Sequence, residues 1–325
     1  MTSSRAQRAA AVPLMFLGGA LVAGQSQING RLAHELGDGP RAGLAAASVS
    51  FGSGLVVVCI IAALMPSARA GARRFLEARR SGELPWIWTL GGLLGAFLVA
   101  TQGFTIASIG VALFSVAVTA GQATSGLLVD HLGIGPSGKQ HLTPPRLVAA
   151  LFAVVAVLLA AGERLVDQFS LTTAGLALLP LVAGAGAALQ QGMNGRVSHV
   201  GGPWVTTVNN FVVGTSALLV VLVLSLLVPG QLDGLPGTWW MYLGGVMGVG
   251  FISLAALLVR VHGVLVLGLC MIAGQIITAE IIELLSDDPH VGVLGIVAGL
   301  LTVVGVAVAL LIRPRQPAAT ATAAG

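Results

Sequence analysis

Long, continuously apolar runs dominate the chain from about residue 12 to residue 312, and glycine, proline or charged residues separate them. A helix needs about 20 apolar residues to cross the hydrocarbon core of a bilayer. The runs predict ten transmembrane helices: 12–30, 42–64, 85–104, 108–130, 146–162, 172–192, 204–228, 238–259, 264–285 and 291–312. Because apolar and polar residues do not alternate within a run, the pattern excludes a transmembrane β-barrel. The predicted fold class is an all-α integral membrane protein.

The composition agrees with this interpretation. Of the 325 residues, 56% are hydrophobic and 9% are charged, and the mean hydropathy is +0.94. A soluble domain carries about 25% charged residues, so most soluble enzymes and DNA-binding modules are excluded. The net charge is +4, and in such an apolar chain we interpret the basic residues as topology signals. No nucleic-acid partner is predicted.

The basic residues predict an orientation in the cytoplasmic (inner) membrane. Arg31, Arg41 and Arg164 lie on one side of the predicted helices, and the other thirteen Lys and Arg residues lie on the side of the N-terminus. The positive-inside rule then places both termini in the cytoplasm. The stretch 69–80 is predicted to be an ordinary cytoplasmic loop, with anionic lipid contact as the alternative. Residues 313–325 are predicted to form a disordered cytoplasmic tail.

The first run also has features of a secretory signal peptide, since Arg5 and Arg8 precede it. Nine further apolar runs follow, and they favour an uncleaved first helix.

The chain contains two copies of one unit. Residues 23–37 read AGQSQINGRLAHELG and residues 188–202 read ALQQGMNGRVSHVGG, with seven of fifteen positions identical at an offset of 165. Three more matches follow in the same order. They pair Phe51 and Gly54 with Phe211 and Gly214 at offset 160, 90–92 with 243–245 at offset 153, and 120–122 with 273–275 at offset 153.

Each copy holds five predicted helices, so the second copy must enter the membrane in the opposite orientation. The predicted architecture is therefore two inverted five-helix repeats, residues 12–162 and 172–312, which is a recurrent architecture of secondary transporters.

With five plus five helices and a polar Gln-x-x-x-Asn-Gly-Arg segment in each half, the chain resembles the drug/metabolite transporter superfamily. The segment AGQATSGLLVDHLG, residues 120–133, is similar to that of the YdcZ-type inner-membrane exporters. The resemblance covers about residues 12–312. It implies gradient-driven movement of a small organic molecule, usually outward, through a central cavity between the halves.

Several uncharged polar residues lie inside the predicted helices, where each costs free energy unless it is hydrogen-bonded. Gln25 and Asn29 share one helix face, and Gln190 and Asn194 repeat that arrangement in the second copy. The candidate substrate-binding residues are Gln25, Asn29, Gln122, Gln190, Asn194, Asn209 and Gln275. Two hypotheses stay open for them: a polar cavity wall, or hydrogen bonds between packed helices.

Glu280 is the carboxylate most clearly placed within a predicted span, and Glu283 follows one turn later. A buried carboxylate can bind a proton or an organic cation, which makes Glu280 the candidate coupling residue. The alternative is a glutamate pair that reaches the outer interface. Small multidrug members of the superfamily use a glutamate in the first helix, and this chain has no acid there. This difference favours a neutral or zwitterionic substrate, or coupling elsewhere.

The sequence supports no catalytic constellation, Walker-type phosphate loop or metal-ligand spacing, so no enzyme activity, cofactor or metal is predicted. Cys59 and Cys270 lie in apolar runs and are predicted to be packing residues.

The predicted function is a secondary transporter, an exporter with a small-molecule substrate and coupling to protons or another ion. Alternatives are a lipid-handling membrane protein or flippase partner, and a passive channel. Membrane lipids are the other predicted partners, and the chain is expected to be a monomer or a homodimer.

Overall fold

The computed structural model describes residues 5–37, 39–168, 175–228, 231–285 and 293–311, and these ranges contain helices and turns but no β-strand. Their α-helices are α1 (Arg5–Glu35), α2 (Pro40–Leu64), α3 (Pro66–Ser81), α4 (Gly91–His131), α5 (Pro144–Gln168), α6 (Leu178–Gly201), α7 (Pro203–Ser225), α8 (Gly244–His262), α9 (Val264–Leu284) and α10 (Val293–Leu311). Short 3₁₀ helices, Trp86–Leu90 and Trp239–Leu243, precede α4 and α8. The predicted all-helical class is confirmed. The predicted tail at 313–325 lies outside the described residues.

Helix α4 covers two of the predicted spans, 85–104 and 108–130. A straight helix of its 41 residues would extend about 60 Å. Yet both its ends contact the same part of α6: a Cβ on Gly91 would lie 2.7 Å from Asn194 Oδ1, and one on Gly192 would lie 2.9 Å from Val129 Cγ1. The chain therefore reverses within α4, which forms a first arm (91–102) and a second arm (114–131) on opposite sides of α6.

In the second half of the chain the corresponding reversal is a visible break. Gly263, with φ of 86°, separates α8 from α9, because this left-handed conformation is open to glycine at little cost.

Helices α1 and α6 are longer at their C-termini than the apolar runs 12–30 and 172–192 predict. They end at Glu35 and Gly201, just before Gly37 (φ 125°) and Gly202 (φ 84°). Polar residues within a helix do not end it, whereas a glycine with positive φ does. Consequently the Asn-Gly-Arg segments lie inside these helices.

The prediction of a loop at 69–80 is wrong, because these residues lie in the amphipathic helix α3. Its small residues Ala68, Gly71 and Ala78 are buried, and Gly71 packs against the Gly201 carbonyl at the end of α6. Its Arg69, Arg73, Arg74 and Arg80 are exposed. Hydropathy alone missed this helix because its buried face consists of small residues rather than large apolar ones.

Matched glycine contacts join the two halves. Gly121 on α4 packs against the Leu181 carbonyl of α6, and its counterpart Gly274 on α9 packs against the Phe16 carbonyl of α1. Likewise Gly184 packs against Val118, and Gly19 packs against Met271. Thus α1 lies against α8 and α9, and α6 lies against both arms of α4.

Two further contacts between the halves pair equivalent helices. Helix α5 packs against α10, and α2 crosses α7. At that crossing the rings of Phe51 and Phe211 are 5.2 Å apart, centroid to centroid.

Hydrogen bonds identify the two ends of the bundle. Arg41, at the start of α2, donates to the carbonyl of Ser225, the last residue of α7, and to the Val228 carbonyl just beyond it. Helix α1 also ends there, because the Asp233 amide donates to the Leu36 carbonyl. We call this the Arg41 end. The opposite end holds α3, the C-terminus of α6 and the α8–α9 break, and we call it the Arg196 end.

The outer surface of the bundle is apolar, as expected of a protein in lipid. Large exposed side chains include Ile60, Leu64, Leu219, Val220, Val223 and Leu300. By length and hydropathy, five helical segments of the described residues are able to cross a membrane: Ala9–Glu35, Pro40–Leu64, Pro203–Ser225, Trp239–His262 and Val264–Ile282. Cys270 is buried as predicted, whereas Cys59 is exposed on the surface.

Candidate functional site

The Gln–Asn pair of each half lies opposite a glycine pair of the other half. On α1, Asn29 faces Gly244. Gln25 Nε2 lies 2.8 Å from the position that a Cβ atom would take if Gly248 carried one. On α6, Asn194 faces Gly91, and Gln190 Nε2 lies 2.7 Å from a Cβ position on Gly95. Glycine lets the helices approach closely enough for this, as in other membrane helix pairs.

In the second half Asn210 joins the Gln–Asn pair in a chain of two hydrogen bonds. Gln190 Nε2 donates to Asn210 Oδ1 over 2.7 Å, and Asn210 Nδ2 donates to Asn194 Oδ1. The three side chains are between 0% and 6% exposed. We call this group, Gln190, Asn194 and Asn210, the asparagine cluster. Each amide satisfies its neighbour, which keeps the cost of burial low.

The first half has the same arrangement with one substitution. At offset 160, Ser50 on α2 corresponds to Asn210 on α7. Ser50 is 1% exposed, and its Oγ lies 3.1 Å from the Cβ position on Gly244, beside Asn29 Oδ1. Neither Ser50 Oγ nor Asn29 Oδ1 has a hydrogen-bond partner among the described residues. We call Gln25, Asn29 and Ser50 the serine cluster.

The two clusters are separated from each other. The asparagine cluster lies toward the Arg196 end, where α6 terminates, and the serine cluster lies toward the Arg41 end, where α1 terminates. Between them the Phe211 ring lies against Gly54 and Gly248 and contacts Phe51. The candidate polar residues therefore form two groups around a central phenylalanine pair rather than one continuous wall.

The other three predicted amides lie outside both clusters. Asn209 Nδ2 donates to the Thr89 carbonyl over 2.7 Å, so Asn210 is the asparagine of this pair that joins the cluster. Gln122 Nε2 lies 3.5 Å from the Cβ position on Gly268 of α9. Gln275 Nε2 contacts the carbonyl of Met271 in its own helix at 3.4 Å.

The predicted coupling residue, Glu280, lies in α9 about one turn before its C-terminus and is half-buried. Since α9 begins at the Arg196 end, this places Glu280 toward the Arg41 end. The side chain of Glu283 is outside the described part of the structure.

The buried carboxylate of Asp130 was not selected as a site residue. It is 1% exposed, pairs with Arg146, and accepts hydrogen bonds from the Val264 amide at 2.8 Å and the Leu265 amide at 3.1 Å. It thus caps the N-terminus of α9 and links the end of α4 to the α8–α9 break. Because such a cap depends on a distant helix, the sequence pattern could not reveal it.

A cavity of about 360 Å³ lies at the Arg196 end. The Arg196 guanidinium lines it, 4.6 Å from the Trp88 ring centroid, and donates to the Gly133 carbonyl over 2.9 Å. Glu83 and His199 also line this cavity. At the other end the equivalent Arg31 lies 5.5 Å from the Trp240 ring centroid. Each cation–π contact anchors a helix end.

Comparisons with known proteins agree with this architecture. Residues 10–159 and 175–308 match the model of a family described as "Putative inner membrane exporter, YdcZ". One crystal structure, with 18% sequence identity, superposes on this chain with a TM-score of 0.65 over 95% of this chain and 98% of the other. At that identity the likeness concerns the fold alone. No curated protein matches the sequence.

Proposed function

Because the chain belongs to the YdcZ family of inner-membrane exporters, we propose that it exports a small organic molecule as a secondary transporter that works by alternating access. The family and the apolar helices make it a multi-pass protein of the inner membrane. The observation that carries the mechanism is the duplication of contacts, since each half places a Gln–Asn pair against a glycine pair of the other half.

We propose that residues 12–162 and 172–312 are inverted repeats with ten spans in all. The equivalent contacts at Gly121 and Gly274, and at Gly184 and Gly19, support this. So does the arrangement at the ends, because α1 terminates at the Arg41 end and its counterpart α6 terminates at the Arg196 end. Two units of opposite orientation can exchange conformations and open one path to either side in turn.

We propose that the Arg196 end faces the cytoplasm, with both termini on that side. Basic residues are concentrated at this end of the described structure: Arg69, Arg73, Arg74, Arg79, Arg80, Lys139, Arg146, Arg196 and Arg260. The Arg41 end holds Arg31 and Arg41. The end with more basic residues is the cytoplasmic end under the positive-inside rule.

The helix contacts suggest which parts move. Helix α1 packs mainly on α8 and α9 of the second half, while α6 packs on α4 of the first half. We infer two moving bundles: α1 with α8 and α9, and α6 with α4. Motion of these bundles against α2 and α7 would open the serine cluster at one end, where Ser50 lies on α2, and the asparagine cluster at the other end, where Asn210 lies on α7. The Phe51–Phe211 pair would close the path between them.

In this mechanism the amides contact the substrate when their end of the bundle is open. The proposed binding residues are Gln25, Asn29, Gln122, Gln190, Asn194, Asn209 and Gln275. Of these, the two Gln–Asn pairs, Gln25–Asn29 and Gln190–Asn194, lie nearest the path. Glu280 is the proposed coupling residue, as a half-buried acid toward the Arg41 end. Coupling to protons predicts that export follows an imposed pH gradient.

Transport by purified protein in proteoliposomes tests this function. Vesicles loaded with pooled metabolites and placed in a pH or ion gradient should lose specific solutes, detected by mass spectrometry, only when the protein is present. A Gln25→Ala variant should lose that efflux while keeping its melting temperature, because Gln25 is half-buried and its removal leaves the asparagine cluster intact. Vesicles that retain every solute under every gradient would contradict the proposal.

The lipid-handling alternative has one observation in its favour. Helix α3 exposes four arginines with Leu76, and Trp86 follows it, exposed by 61%, which is the pattern of an interfacial helix that contacts anionic lipid. Scrambling of fluorescent phospholipids in proteoliposomes would support this alternative, and metabolite efflux without scrambling would exclude it.

A further inference from the structure

The asparagine cluster shows which chemical group completes a Gln–Asn pair in this protein. The Asn210 carboxamide lies between Gln190 and Asn194, accepts from the Gln190 Nε2, and donates to Asn194 Oδ1. One neutral carboxamide thus satisfies one donor and one acceptor, and the three side chains are buried together.

The serine cluster presents the same donor and acceptor without that carboxamide. Gln25 Nε2 and Asn29 Oδ1 face Gly248 and Gly244 as Gln190 Nε2 and Asn194 Oδ1 face Gly95 and Gly91. The side chain that would bridge them is Ser50, which is shorter than asparagine by two heavy atoms. Asn29 Oδ1 and the nearly fully buried Ser50 Oγ are consequently left without partners among the described residues.

The residues of the serine cluster carry no charge. A carboxylate would place a negative oxygen against the acceptor Asn29 Oδ1, and an ammonium would place its positive hydrogens against the donor Gln25 Nε2. A group with an adjacent carbonyl and N–H satisfies both at once. An unpaired buried acceptor is costly, so the group that pairs with it gains binding free energy.

We propose that the serine cluster binds a neutral carboxamide-like group of the transported solute, in the place that the Asn210 side chain fills in the other half. The solute carbonyl accepts from Gln25 Nε2, and the solute N–H donates to Asn29 Oδ1 beside Ser50 Oγ. This substrate class rests on the proposed transport function. Since Asn29 and Gly244 belong to the same moving bundle and Ser50 lies on α2 outside it, the solute enters when α2 moves away from α1.

Three probes of one shape test the chemistry: nicotinamide, nicotinate and 3-(aminomethyl)pyridine, with benzamide, benzoate and benzylamine as a second set. The full-length protein is reconstituted in nanodiscs, and its melting temperature is measured as each probe is titrated, since binding to the folded state raises it. The carboxamides should raise the melting temperature, and the acids and amines should not. A larger effect of an acid or an amine, or none from either carboxamide, would overturn the proposal.

The variant Ser50→Asn supplies the missing carboxamide from the protein itself. It should raise the melting temperature without any probe and abolish the effect of nicotinamide. The control Ser26→Asn makes the same change at an exposed position of α1 and should leave nicotinamide binding unchanged. Unchanged nicotinamide binding by a folded Ser50→Asn protein would overturn the proposal.

A second variant keeps the test decisive if Ser50→Asn does not fold. Asn29→Leu removes the acceptor oxygen while keeping the approximate size and shape of the side chain, so nicotinamide should bind at least about tenfold more weakly and should lose its advantage over nicotinate and 3-(aminomethyl)pyridine. An unchanged preference among the three probes would overturn the proposal.

Counterflow of labelled nicotinamide in proteoliposomes separates this proposal from the transport function. Binding with the expected selectivity but without counterflow of any solute would leave the site standing and contradict transport. Efflux of other solutes by a protein that binds neither carboxamide would leave transport standing and overturn the carboxamide site.

Discussion

At the scale of single residues, helical glycines differ sharply in what surrounds them. Gly121 lies so close to the Leu181 carbonyl that a Cβ would collide with backbone, whereas Gly52 on α2 has nothing within 4 Å of its Cβ position. We predict that Gly121→Ala lowers the free energy of unfolding by about 3 kcal/mol. Gly52→Ala should be neutral or gain up to about 1 kcal/mol from helix propensity.

The measurement is thermal or denaturant unfolding of both variants in the same detergent. The equivalent contact of Gly274 with the Phe16 carbonyl predicts that Gly274→Ala resembles Gly121→Ala. A Gly121→Ala protein as stable as Gly52→Ala would show that α4 and α6 do not pack as described.

A second residue-scale prediction concerns the asparagine cluster. Asn210→Ala leaves Gln190 Nε2 and Asn194 Oδ1 buried without their partner, so we expect a loss of about 2–4 kcal/mol of stability. The neighbouring Asn209→Ala removes one partly buried bond to a carbonyl and should cost about 1 kcal/mol. Unfolding of the pair of variants checks the ranking, and equal losses would contradict the cluster.

Part of the candidate site could be predicted from the sequence at this scale. The repeat reveals the paired Gln25–Asn29 and Gln190–Asn194 faces, because four-residue spacing places them together on a helix. It does not reveal which of Asn209 and Asn210 joins them, since that depends on how α7 rotates against α6. The role of Ser50 follows only from its contact with Gly244, because a buried serine in an apolar run has no distinguishing pattern.

At the scale of elements, Asp130 connects three helices through one carboxylate. It lies in the last turn of α4, pairs with Arg146 of α5, and caps α9 through the Val264 and Leu265 amides. We predict that Asp130→Asn lowers the free energy of unfolding by about 3 kcal/mol, because it leaves the largely buried Arg146 cation without its counter-charge.

Hydrogen exchange locates the effect of this substitution. Amides at the start of α9 should lose protection in Asp130→Asn, while those of α2 should not. Equal loss of protection in both helices would contradict a specific cap.

The helices were predicted accurately where the chain is most apolar. The prediction failed where side-chain size or backbone geometry determines whether a helix forms. The runs at 42–64 and 264–285 match α2 and α9 closely because Pro40 and Pro66 bound the first helix and Gly263 precedes the second. Helix α3 was missed since small residues form its buried face. The predicted boundary between the spans 85–104 and 108–130 falls within the single helix α4, and no proline marks the reversal there.

At the scale of the whole molecule, the proposed orientation is testable by labelling. Leu235 at the Arg41 end and Ser81 at the Arg196 end are both exposed. In a Cys59→Ala background, Leu235→Cys should react with a membrane-impermeant maleimide on the periplasmic side of intact cells, and Ser81→Cys should react only after lysis. The reverse pattern would contradict cytoplasmic termini.

Helix α1 of the first half packs on the second half, and α6 of the second half packs on the first half. This arrangement links the motions at the two ends of the bundle. If the moving bundles are α1 with α8 and α9, and α6 with α4, then opening one end must close the other. Spin labels at exposed positions report this motion. Glu35 and Leu178 span the two bundles at the Arg41 end, and Arg260 and Leu132 span them at the Arg196 end.

Double electron–electron resonance on these two label pairs tests the central claim most directly. In nanodiscs, across a pH series and with nicotinamide added, alternating access predicts two distance populations at each end. When the Glu35–Leu178 distance lengthens, the Arg260–Leu132 distance should shorten in the same proportion of molecules. A single unchanging distance at both ends, or distances that lengthen together, would contradict alternating access by this protein.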